Sequence, residues 1–212
     1  MKKLLIRSLI VLSLTLFVAA ASVVWTQDKK DFAEPGEKRQ NELQPPEKIM
    51  NVIGLKPGMV IGDIGAGRGR FAVWFADRVG ANGKVYANDI DIDALIHLAR
   101  RCKQHGFYNV IMRRGTVVNP NIPDGVLDIA FIVNVHHHLD KPVELIKNLI
   151  PTLKREGILV IVENDPEKSG WTSHMTLKEV LLQQVDQAGF KLVKIETFLP
   201  EDNIYFFHPK KR

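Results

Sequence analysis

Residues 60 to 70, VIGDIGAGRGR, constrain the fold more than any other stretch: an apolar run ends on Asp63, and the chain then turns through Gly65, Gly67 and Gly69. Glycines this closely spaced let the backbone take conformations that other residues resist. They also let N–H groups and the start of a following helix approach a ligand with no Cβ in the way. A strand that hands over to a helix through such a turn reads as one wall of a nucleotide-cofactor site. Taken alone, the turn could equally be a plain connection, so its context decides.

A dinucleotide-binding loop wants a small residue three positions after its second glycine, for close packing of helix on strand. Arg70 stands there instead, and the acid Asp63 lies two residues before the first glycine. A buried acid needs a cationic or hydrogen-bonding partner, and a pyrophosphate is a poor neighbour for it. The segment GKVYANDID, residues 83–91, reads as a second strand ending in acids. Its spacing from the glycines suits a carboxylate that accepts from ribose hydroxyls. Asp89 takes that role here, with Asp91 second; Asp91 and Asp93 read better as the cap and first turn of the next helix.

Strand and helix patterns then alternate. Strands are predicted near 59–63, 84–89, 109–113, 127–133 and 157–163, and helices near 69–79, 92–104, 142–153 and 176–188. A further helix opens at Pro45-Pro46 and runs to about Gly54. FKLVKIETF at 190–198 and NIYFFH at 203–208 are separated by a gap that permits only antiparallel pairing. The expected fold is α/β: a doubly wound, mostly parallel sheet of seven strands with helices on both faces and a C-terminal antiparallel hairpin.

The hydrophobic strand, acid and Gly-x-Gly-x-Gly of residues 60–69, with the second acid at Asp89, resemble the first motifs of the class I S-adenosylmethionine-dependent methyltransferases. The resemblance covers roughly residues 45–208 and includes the final Leu199-Pro200-acid turn before the last strand. It implies a Rossmann-like methyltransferase domain with S-adenosyl-L-methionine as cofactor. The cofactor contacts it implies are Asp63, Gly65, Ala66, Gly67, Gly69, Asp89, Ile90, Gly115, Thr116 and Asn134. The loop Arg113-Arg114-Gly115-Thr116 departs from the family, which often has an acid there to accept from the adenine amino group. The Leu153-Lys154-Arg155-Glu156-Gly157 turn departs too, lacking the family's proline and one glycine.

After the fourth strand come His136, His137 and His138. Neighbours on an extended chain point to alternate sides and cannot all face one ion, so no metal site is expected. The resemblance places a histidine-bearing loop here beside cofactor and acceptor, with Asn134 against the cofactor and His137 or His138 toward the acceptor. An imidazole titrating near neutrality suits a general base for a hydroxyl nucleophile, although any one of the three could simply cap or pack. His174, after Trp171 on a later loop, is a third catalytic candidate, and Ser173 or Thr176 there could serve as helix caps.

The formal charge of +5 is concentrated at the ends, in Lys2, Lys3 and Arg7 and in Lys210, Lys211 and Arg212, which leaves a body near −1. No nucleic-acid partner is implied, and the Asn/Asp-Pro-Pro-aromatic signature of nucleic-acid amino methyltransferases is missing after Asn134. A small-molecule or lipid-like acceptor is expected instead. The single cysteine, Cys102, reads as a packing residue within a helix. Residues 1–25 read as a signal peptide or membrane anchor, with the uncharged run 8–25 available to a bilayer and Ala19-Ala20-Ala21 as a cleavage site. Export to the periplasm or exterior, or anchoring, is expected, and the cytoplasmic side of an anchor stays open. Residues 26–44 read as a polar linker and 209–212 as a basic tail. Two rival readings stand beside methyl transfer: an NAD-type oxidoreductase, which Asp63 and Arg70 oppose, and a non-catalytic module that retains the fold. Oligomeric state is not legible.

Overall fold

The computed structural model describes residues 30–170 and 175–210. The leader, Trp171 to His174 and the last two residues lie outside them, as do the sequence expectations for those positions. From Phe32 onward the chain folds as one unit.

Five strands form the parallel body of the sheet: β1 (Val60–Ile64), β2 (Lys84–Asp89), β3 (Val110–Arg114), β4 (Leu127–Val133) and β5 (Leu153–Asn164). They are followed by β6 (Phe190–Glu196) and β7 (Asp202–Pro209). Strand order is β3-β2-β1-β4-β5-β7-β6, with β7 antiparallel to both β5 and β6. The expected seven strands and closing hairpin are therefore present. The near-continuous apolar runs of β4 and β5 suit strands covered on both faces. One face carries α2 (Pro46–Val52), α3 (Ala72–Val79) and α4 (Ile92–His105), packing Phe71, Phe75, Leu98 and Phe131 into one core. The other carries α5 (Pro142–Lys147) and α7 (Lys178–Gln187), which bury Ile146, Leu181 and Val185 against Ile132, Ile161 and Tyr205. Lys191 and Lys194 lie exposed on the edge strand β6, which blunts it against further pairing.

Several boundaries differ from expectation. Helix α3 begins at Ala72 rather than near 69, because the glycine turn continues through Phe71. Strand β5 starts four residues early, since Leu153 pairs with Leu127 ahead of a bulge. Helix α5 accordingly ends at Lys147 instead of continuing to 153. A short α6 (Pro166–Ser169), capped by the Asp165 carboxylate, was not anticipated. Asp91 does cap α4, accepting from the N–H groups of Asp93 and Ala94. Cys102 is buried, and burial pushes its thiol up to about 11, in keeping with a packing role. Among the described residues, no helix is long and apolar enough to cross a membrane.

The main correction concerns residues 26–44, expected to be a polar linker. From Phe32 they are a strap that packs on the domain and includes α1 (Lys38–Leu43). Phe32 meets Trp74 and Phe107 edge-on. Glu37 receives both terminal nitrogens of Arg101, at 2.8 and 2.7 Å, and Arg101 is only 2% exposed. Arg101 also donates to the carbonyls of Phe32 and Arg68, joining the strap to the glycine turn. The polar composition of the strap concealed this, because one of its acids, Glu37, is spent on a buried arginine while Lys38, Arg39 and Glu42 stay in water.

Removing one member of a buried ion pair leaves the other uncompensated, at about 3–5 kcal/mol, whereas surface pairs contribute about 0–1 kcal/mol. Glu37→Ala is therefore expected to cost about 3–5 kcal/mol in urea unfolding. Glu47→Ala, which breaks the more exposed Arg78–Glu47 pair, is expected to cost about 1 kcal/mol or less.

Candidate active site

The sheet reverses its winding between β1 and β4, so a crevice opens beyond their carboxyl ends. Asp63 lies at that end of β1, 1% exposed, and neither of its oxygens has a hydrogen-bond partner. Burial is the main cause that raises its pKa from 3.8 to about 7; the nearby Asp89 charge adds to the rise, while Arg70 and the Ala72 N–H oppose it. A cavity of about 120 Å³ opens here, lined by Asp63, Gly65, Ala66, Arg70, Asn134 and the strap residue Gln40, among others.

The glycine turn is stapled to β2. The N–H groups of Gly65 and Ala66 both reach the Asn88 carbonyl at 2.8 Å, and that of Gly67 reaches Asp89 Oδ2 at 2.7 Å. Each glycine has its own reason. A Cβ on Gly65 would strike Val135 and one on Gly69 would strike Leu98, while Gly67, at φ +54°, borders open space. Asp89 Oδ1 takes the Asp91 N–H, and a carboxylate with roughly four acceptor positions retains capacity for ribose hydroxyls. Ile90 is 57% exposed directly after it, an apolar surface beside the turn.

Asn134 follows β4 in a left-handed conformation, φ +51°. Its Oδ1 accepts from Gln44, and Gln44 in turn accepts from Arg70, which also donates to Asn41. Arg70 therefore stands half-buried between the strap and the cavity. Burial lowers its pKa, and the charges of Glu37, Asp63 and Asp202 oppose that shift. The histidines form one tight helical turn, His136–His138. His136 is buried with both ring nitrogens unpartnered, and His138 is exposed, its ring tilted by 51° against that of His137 with centroids 4.0 Å apart. His137 Nδ1 lies 2.7 Å from Glu163 Oε1.

Of the residues read from sequence, Asp63, Gly65, Ala66 and Asn134 share the cavity, and Gly67 and Asp89 are bonded to each other beside it. Gly115 packs on the Asn88 side chain, and the Thr116 hydroxyl caps its own turn by accepting from Val118 and Asn119 N–H. His174 lies outside the described residues. Gln40, Gln44 and the lining role of Arg70 escaped the sequence reading, although glutamines four apart before Pro45 were a signal of a helical face. A wider groove of about 1150 Å³ lies among the described residues at the amino ends of β4 and β5 and holds none of these groups. No group of three His, Cys, Asp or Glu side chains there could hold a metal.

Residues 61–157 match the family model of the methyltransferase domain. A curated relative, the nocamycin O-methyltransferase of Saccharothrix syringae, is 29% identical over 83 residues, which cover 39% of this chain and 30% of that relative's length. Among solved structures, a SAM-dependent methyltransferase from Aquifex aeolicus superposes with a TM-score of 0.75 at 22% identity, covering 82% of this chain and 93% of that one. The [4+2]-cyclase SpnF superposes at 0.65 and 20% identity, covering 79% and 64%. Fold and site thus define a Rossmann-like domain built around a nucleoside-bearing cofactor. Residues 61–157 match a methyltransferase domain, and the fold is the one seen in solved S-adenosylmethionine-dependent methyltransferases.

The residues fit that cofactor. The bare Asp63 carboxylate suits its ammonium, Arg70 suits its carboxylate, and Asp89 with Ile90 suits ribose and adenine. Because the folded pKa of Asp63 is raised, its contribution to the stability of the free protein is full below about pH 4 and is lost as pH rises through about 7. Asp63→Asn should flatten that dependence and melt higher than wild type at pH 8 in thermal scans without cofactor. Calorimetry should show it binding S-adenosylmethionine roughly 10- to 100-fold more weakly, the worth of one charge-assisted hydrogen bond.

Proposed function

We propose that this domain transfers the methyl group of S-adenosyl-L-methionine to a small-molecule or lipid-like acceptor. The observation that carries the reading is the buried, unpartnered Asp63 facing a cavity that also presents Arg70, an opposed pair suited to an amino-acid zwitterion. When bound, the cofactor supplies an electrophilic methyl on a sulfonium with a thioether as leaving group. The protein's task is then to position the reactants and exclude water. Asp63 and Arg70 hold the amino-acid end, Asp89 the sugar, and the strap residues Gln40 and Gln44 cover the chamber. The O-methyltransferase relative favours an oxygen acceptor. Export or membrane anchoring through residues 8–25 completes the reading and is tested by fractionating the native chain.

A second reading, cofactor binding without methyl transfer, is favoured by the missing acid in the adenine loop, where Thr116 spends its hydroxyl on its own turn. The fold is also shared with a protein described as a cyclase.

Calorimetric titration of residues 27–212 with S-adenosylmethionine and with NAD separates the possibilities. One-to-one binding of the first and none of the second is expected, together with a concentration-dependent rise in melting temperature. Tight NAD binding without S-adenosylmethionine binding overturns the proposal. Binding with no S-adenosylhomocysteine released across a broad acceptor panel selects the second reading. Asp89→Ala is expected to weaken the cofactor by roughly tenfold or more, the worth of its hydrogen bonds.

A further inference from the structure

Glu163 ends β5 on the face that meets the histidine turn, and it is 1% exposed. Its Oε2 accepts the backbone N–H of His136 at 3.1 Å, and its Oε1 faces His137 Nδ1 at 2.7 Å while also receiving the Asn164 N–H. An ionised carboxylate only accepts, so Nδ1 must carry the proton. The neutral ring then keeps its lone pair at Nε2, the nitrogen turned from the Glu163 hydrogen bond. The same turn is locked to the cofactor chamber at its other end. Val135 fills the space where a Gly65 side chain would stand, and Asn134 lines the cavity. One buried acid thus holds the backbone of His136 and the ring of His137 in the turn that follows Val135, whose side chain packs at Gly65.

We propose that Glu163 is a positioning residue that presents His137 Nε2 as a proton acceptor, and that the methyl acceptor is a hydroxyl compound without a carboxylate of its own. The proposal rests on the methyl-transfer reading. A hydroxyl needs such a base most, because neutral water leaves it protonated and poorly nucleophilic, whereas amines and thiols form a competent nucleophile more readily. An acceptor carboxylate is disfavoured because Glu163, Asp165 and Asp202 are all buried at this end of β5 and β7, and Arg70 is assigned to the carboxylate of the cofactor. The acceptor's O–H bond breaks as its proton passes to Nε2. An O–C bond forms as the sulfonium C–S bond breaks, and that electron pair leaves on sulfur. The imidazolium is held against Glu163 until it releases the proton to water.

The charged and titratable groups around His137 are Glu163 on β5, His136 and His138 on its own turn, and Asp202 on β7, which is coupled to Glu163. The Glu163 hydrogen bond raises His137 and burial opposes it.

Histidine-ring ¹H–¹⁵N spectra of the full chain across pH test the assignment without any cofactor, with His137→Asn identifying the signal. Wild type is expected to show the Nδ1–H tautomer and a titration above the ordinary histidine range, moving down in Glu163→Gln. An Nε2–H tautomer, or a titration indifferent to Glu163→Gln, overturns the proposal; should that variant fail to fold, the wild-type tautomer still decides. In the kinetic arm, a phenol and an aniline of matched skeleton serve as acceptors. His137→Asn should lower kcat on the phenol by roughly 100-fold or more with KM nearly unchanged, and Glu163→Gln should move the acid limb of kcat/KM to lower pH. Equal losses on both acceptors, or a loss confined to KM, overturn it. Calorimetric binding of S-adenosylmethionine should persist in both variants. Absent binding in wild type marks failure of the methyl-transfer reading instead.

Discussion

A carboxylate buried with both oxygens bare is expensive, and this chain places one at the point where its sheet changes direction. Burial, with the Asp89 charge adding to it, pushes Asp63 toward neutrality, and Arg70 is turned aside. Arg70 spends its nitrogens on Asn41 and Gln44, so it balances the charge at a distance without satisfying it. The surroundings are organised to keep that vacancy of partners. The glycine turn gives its N–H groups to β2, Asn134 accepts left-handed backbone geometry to face Gln44, and the strap closes the remaining side. Such an arrangement is costly in a free protein and sensible in one that meets a cationic ligand.

The second buried acid obeys the opposite logic. Glu163 is saturated by His136, His137 and Asn164. Its worth lies in orientation, since a satisfied carboxylate fixes which nitrogen of a neighbouring ring carries hydrogen. One acid waits for a partner and the other dictates a partner's form, and the segment from Asn134 to His137 runs from the cavity of the first to the side chain of the second.

Much of the scaffold was legible in the chain. The apolar runs of β1, β4 and β5, the glycine turn and the Asp91 cap all announce themselves through local pattern, and the short gap before β7 leaves only antiparallel pairing. Asp63 and Asp89 were readable because their positions at strand ends are set by that pattern. What stayed hidden depends on distant pairing. Gln40, Gln44 and Glu37 look like solvated linker residues until Arg70, Arg101 and Asn134 are brought to them, and Glu163 gains meaning only once His137 is folded back against it. The early start of β5 was missed for a related reason, because pairing with Leu127 overrides the turn preference of Lys154 to Gly157.

The bonds of the strap also bear on how the molecule is assembled. Glu37 finds Arg101 across 64 positions of chain, and Gln44 finds Asn134 across 90. A polypeptide emerging from the ribosome amino end first can therefore engage Glu37 once α4 has been delivered, whereas Gln44 meets Asn134 only after the fourth strand. The cover of the chamber that receives the cofactor is made early in the strap, and it is fastened to Asn134 only late in synthesis.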